Sequence, residues 1–123
     1  MASVTSSAEL NQRELERYVS RVADRWPVQR ALLGGARVDD ARGASPQRER
    51  GPEYVVIFIS EFFDGVPWLE RVHQAGRLWD GLEMGAPADV HCYTPAEFER
   101  RREQLPVVRR TLERGLELSP EPA

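Results

Sequence analysis

A chain of 123 residues, 41% of them hydrophobic, suits one domain that buries roughly two-thirds of the surface its unfolded form exposes. A formal charge of -3 from 17 basic and 20 acidic residues lacks the electrostatic footprint of a general nucleic-acid binder. Cys92 is the single cysteine, so an intramolecular disulfide is excluded.

The stretch from Met1 to Leu10 has neither the basic start nor the apolar centre of a signal peptide, and no apolar run approaches the eighteen or so residues that span a bilayer. The expectation is a cytoplasmic protein without a membrane span, with residues 1–8 as a flexible N-terminus. Leu15, Tyr18, Val19, Val22 and Trp26 then recur at helical spacing, predicting a helix from about Glu9 to Arg25. Ser6 with Glu9, or Asn11 with Glu14, can supply its capping pair. Pro27 ends it.

Val28 to Leu33 reads as a strand closed by Gly34-Gly35. Residues 36–52 lose the apolar pattern and carry Gly43, Ser45, Pro46, Gly51 and Pro52, which predicts a long loop. Tyr54 to Ile59 is continuously apolar and β-branched, as a strand buried on both faces should be. Leu69, Val72, Gly76, Trp79 and Leu82 predict one helix closed by Gly85 and Pro87. A third strand, Ala88 to Tyr93, turns Val90 and Cys92 to one face and Asp89, His91 and Tyr93 to the other.

Thr94-Pro95-Ala96-Glu97 is a strong helix start, with a capping residue, a proline at the first position and a glutamate reaching back. Pro106 divides this helix from a last one, Val107 to Arg114, which Gly115 terminates in the usual C′ position. Arg100, Arg101, Arg102, Arg109 and Arg110 interleave with Glu97, Glu99, Glu103 and Glu113, the pattern of a solvated helix face laced with ion pairs. Residues 119–123 read as a frayed tail. One α/β domain over residues 9–118 follows, with a mixed sheet covered by helices.

The segment from Arg30 to Arg42, including Gly34-Gly35-Ala36-Arg37, resembles the strand and glycine-serine turn that open small bacterial nucleotidyltransferase domains. Glu53 to Ser60 is similar to their Asp-x-Asp strand, and Asp89 through Glu97 to their third-carboxylate strand and helix start. The likeness runs over about residues 10–118 and is tightest from Phe62 to Gly115. It implies the nucleotidyltransferase fold, with Gly34, Gly35 and Arg37 in the phosphate-handling segment and Glu53 and Asp89 as Mg²⁺ ligands. Three positions depart from the pattern: Gly35 stands for the serine, Asp39 for a later glycine, and Val55 for the second carboxylate. Asp39 or Asp40 is the candidate substitute ligand.

In such enzymes carboxylates hold Mg²⁺, which neutralises the triphosphate and stabilises the leaving pyrophosphate. With one carboxylate gone, the leading expectation is a catalytically degenerate domain that works by binding a protein partner or ligand. Small members of the family are often antitoxins paired with an all-helical toxin. The alternatives are a working Mg²⁺-dependent nucleotidyltransferase, and a cleft reused for metal-free acid–base chemistry by Glu53, Asp89, His91 and Tyr93. His73 has no second ligand at metal spacing and reads as a surface residue. Cys92 reads as a buried structural thiol, and Trp26, Trp68 and Trp79 as core or interface anchors. Self-association into a dimer is a further expectation.

Overall fold

The computed structural model describes residues 10–43 and 51–120. Helix α1, Gln12–Arg25, begins where the Asn11 side chain accepts from the Glu14 N–H at 3.1 Å, the capping pair expected there. Ser6 lies outside the described residues. Strand β1, Arg30–Gly34, pairs antiparallel with β2, Tyr54–Ile59, and with β4, Leu116–Leu118. Strand β3, Ala88–Tyr93, runs parallel to β2, giving the order β3-β2-β1-β4. The expected α/β class with a mixed sheet is what the chain adopts.

Both faces of the sheet are covered. On one, Leu15, Tyr18 and Val22 of α1 meet Leu33, Val56, Phe58 and Cys92, and Tyr18 donates to the Ala75 carbonyl at 2.8 Å. On the other, Leu32, Val55, Ile57, Ile59 and Tyr93 pack against Phe98 of α5, Pro95–Gln104, and Val108 of α6, Pro106–Arg114. All six residues of β2 are buried, which is why that strand reads as an unbroken apolar run. Cys92 is fully buried, and burial pushes its thiol up to about 12.

Several elements depart from the sequence reading. Ala36–Ala41, assigned to a loop over 36–52, forms a six-residue helix, α2, with no side-chain cap; residues 44–50 lie outside the described set. The single helix drawn through Leu69 to Leu82 is two, α3, Trp68–Arg77, and α4, Gly81–Met84. The break has a local cause: the Asp80 carboxylate accepts from the Glu83 N–H at 3.0 Å and restarts the chain as a new helix. Gly115 ends α6 with an extended backbone (φ -81°, ψ -172°) rather than a left-handed turn. Glycine is needed there because a Cβ would lie 2.4 Å from the carbonyl oxygens of Leu33 and Thr111. That tight approach delivers β4, unanticipated in the sequence, to the edge of β1.

Arg71 ties three elements together. Only 6% exposed, it donates to the Val66 carbonyl at 2.8 Å, the Cys92 carbonyl at 3.1 Å and Glu97 Oε1 at 2.7 Å. Glu97 in turn closes the capping box of α5 through Thr94. Buried charge is tolerated when its donors are satisfied in this way.

Candidate functional site

Alternation along β3 puts Asp89, His91 and Tyr93 on the face that also carries Val55, Ile57 and Ile59, their partners in the parallel register. The three form one hydrogen-bonded chain: Tyr93 Oη lies 2.8 Å from His91 Nδ1, and His91 Nε2 lies 3.1 Å from Asp89 Oδ2. Burial raises the Tyr93 phenol to about 12, against the pull of Arg101 and with Asp89 adding to it. The phenol therefore keeps its proton at neutral pH, and the ionised carboxylate can only accept, so the His91 ring bridges a hydroxyl that can donate or accept and a carboxylate that accepts. Tyr93 is 3% exposed, whereas the Asp89 side chain is 51% exposed. Solvent thus meets the carboxylate end of the chain. The Trp68 ring packs on Tyr93 with centroids 5.2 Å apart and edge-on to His91 at 6.4 Å.

Glu53 is turned elsewhere. Its Oε1 takes a 2.6 Å bond from Arg37 Nε, and Arg37 also donates to the Gly85 carbonyl at 3.3 Å and lies over the Tyr54 ring at 5.5 Å. The structure therefore brings together Asp89, His91 and Tyr93 and pairs Glu53 with Arg37, which itself reaches the Gly85 carbonyl after α4. That bond also raises the Arg37 guanidinium above its ordinary value.

The Gly34-Gly35 turn is committed to packing. Gly35 has φ 105°, and a Cβ on it would stand 2.7 Å from the Glu53 carbonyl oxygen. A Cβ on Gly34 would stand 2.7 Å from Thr111 Oγ1 of α6. The N–H groups that follow are used by the backbone: Ala36 donates to Pro52 at 2.9 Å and Arg37 to Glu53 at 3.0 Å. Beside this turn lies a cleft of about 340 Å³ between α2, Pro52, Val55 and α6, with Asp39, Arg110 and Arg114 at its charged side.

Mg²⁺ is a hard cation that takes several oxygen ligands. Here Val55 offers methyl groups, Glu53 is paired with Arg37, Asp89 is bonded to His91, and Asp39 lies 3.6 Å from Arg110. Asp40 sits one residue further along α2. Among the described residues no group of three or more His, Cys, Asp or Glu side chains is gathered to hold a metal ion. The residues present do not fit the two-metal site that the resemblance implies.

Sequence reasoning missed three contributors. Arg71 sits on the helix stripe beside Val72, where an arginine reads as solvated, and only the packing reveals its burial. Trp68 begins α3 and is drawn to β3 by a contact no spacing announces. Arg110, assigned to a solvated ion-paired face, lines the cleft with Arg114. Elsewhere that face is as expected, with Arg102 on Glu99. His73 is exposed, as read from the sequence.

No family model matches the chain, and no curated protein matches it. Among solved structures it is similar to a protein described as a candidate nucleotidyltransferase from Sulfolobus solfataricus, with 18% identity, 72% of each chain covered and a TM-score of 0.49. Such a likeness decides nothing about chemistry, which this chain's own residues must carry. No helix among the described residues is long and apolar enough to cross a membrane.

Proposed function

We propose that this chain is a nucleotidyltransferase-fold protein that has left metal-dependent nucleotidyl transfer and acts by binding, as a regulatory or antitoxin-like component. One observation carries the reading. Val55, 2% exposed, stands opposite Asp89 in the β2–β3 register, where the resemblance asks for a second carboxylate. Losing a metal ligand removes several kcal/mol of transition-state stabilisation, about a thousandfold in rate. Two further observations support it: the turn amides of Ala36 and Arg37 are spent on backbone carbonyls, and Glu53 is spent on Arg37. Phe62, Trp68 and Leu69, respectively 57%, 41% and 76% exposed in one short stretch, suit a partner surface, since large apolar groups left in water commonly mark one.

The test is to incubate the protein with labelled nucleoside triphosphates, Mg²⁺ or Mn²⁺, and lysate of its native host. The reading predicts no label transferred above that seen with the Asp89→Asn variant. Label that depends on the metal and vanishes in Asp89→Asn overturns it.

A second reading, metal-free acid–base chemistry, is favoured by the Asp89–His91–Tyr93 chain. In it His91 would exchange the proton and Asp89 would fix its tautomer. A metabolite that stabilises the fold and is consumed by the native protein but not by His91→Ala would support it; stabilising metabolites left unconsumed by both would remove it.

A further inference from the structure

We propose that the cleft beside the Gly34-Gly35 turn takes a small organic monocarboxylate with an apolar body, without a metal. The proposal presupposes the binding role put forward above and names the class of ligand. The cleft, about 340 Å³, falls within the range of small-molecule sites, which combine apolar walls with a few placed polar groups. Its walls include Ala36, Val38, Pro52, Val55, Pro106 and Val107. Its charged groups are Arg110, Arg114 and Asp39. Arg110 is neutralised in part by Asp39 at 3.6 Å, and Arg114 carries no ion pair among the described residues. The lining thus holds one positive charge in excess.

Arg110 and Arg114 are four residues apart on α6, hence on one side of the helix. A carboxylate presents two oxygens in the spacing of an arginine fork. A triphosphate suits this lining poorly: it would bring several negative charges against Asp39, with no carboxylate pair to recruit a neutralising metal and no free amides at Ala36 and Arg37 to receive it. A monoanion whose apolar body lies on Pro106 and Val107, with the buried Val55 behind them, matches both the charge and the walls.

Calorimetric titration with butyrate, octanoate and benzoate in EDTA, beside inorganic phosphate and ATP with Mg²⁺, tests the proposal. At least one carboxylate is expected to bind in EDTA more tightly than phosphate. Its affinity should fall about 10- to 100-fold in Arg114→Gln, the loss of one charge-assisted hydrogen bond, and stay unchanged in Arg100→Gln, an exposed residue of α5 that does not line the cleft. Both arginines are exposed, and circular dichroism of each variant verifies that it is folded. No carboxylate bound at millimolar concentration, equal binding by native protein and Arg114→Gln, or a preference for phosphate or Mg²⁺-ATP would overturn the proposal. Metal-dependent label transfer refutes the binding role itself, whereas silence in both assays refutes the carboxylate class alone.

Discussion

Gly35 occupies a backbone conformation that L side chains rarely adopt, and the Glu53 carbonyl stands where its Cβ would be. In the family the sequence resembles, a serine fills this position. Here Gly35→Ser is expected to cost about 2 kcal/mol or more, from a positive φ together with a backbone clash, rather than to restore a phosphate cradle. Thermal unfolding reads the cost directly; a serine variant as stable as the native protein would show that the turn is not packed as described. Glu97 gives a pH signature. The hydrogen bond from Arg71 holds its carboxyl below the ordinary value, opposed by burial and helped by the Thr94 N–H. A depressed folded value means that the stabilisation is present above the ordinary carboxylate value and is lost as pH falls through the folded one. Urea unfolding of native protein and Glu97→Gln should therefore differ most near neutrality, and the gap should close as pH falls below the ordinary carboxylate value. A gap independent of pH would assign the effect to packing.

At the scale of elements, the sequence was most legible where local chemistry decides the structure. Tyr54–Ile59 and Ala88–Tyr93 are strands over the residues expected, because a fully buried run and a strict alternation each have one physical solution. The α5 start was legible for the same reason: Thr94 Oγ1 accepts from the Glu97 N–H at 3.2 Å, and Glu97 Oε1 accepts from the Thr94 N–H at 2.9 Å. Thr94→Ala should cost about 1 kcal/mol in the same unfolding measurement, and a neutral effect would mean the cap is dispensable. The missed elements share an opposite cause. Helix α2 has six residues and no side-chain cap, and β4 has three residues, so neither carries enough periodicity to read. The site divided along the same line. Alternation placed Asp89, His91 and Tyr93 together, but the pull of Arg37 on Glu53 spans sixteen residues of sequence and leaves no local mark.

Across the whole molecule, the face of the sheet that carries Asp89, His91 and Tyr93 is also a core. Val55, Ile57, Ile59 and Tyr93 are each 4% exposed or less and are covered by α5 and α6. A protein that needed two metals on this face would have to keep carboxylates there in water. This one has placed apolar side chains there and paired Glu53, Asp89 and Asp39 with Arg37, His91 and Arg110. On the reading proposed above, fold and chemistry are uncoupled: Val55 adds to the core at the position where the resembled family carries a carboxylate. The direct measure of that exchange is Mn²⁺ titration followed by the electron paramagnetic resonance of the free ion, with ATP present and absent. Native protein and Asp89→Asn are expected to leave the same amount of Mn²⁺ free under both conditions. One or more tightly bound Mn²⁺ ions in the native protein, released by Asp89→Asn, would contradict it.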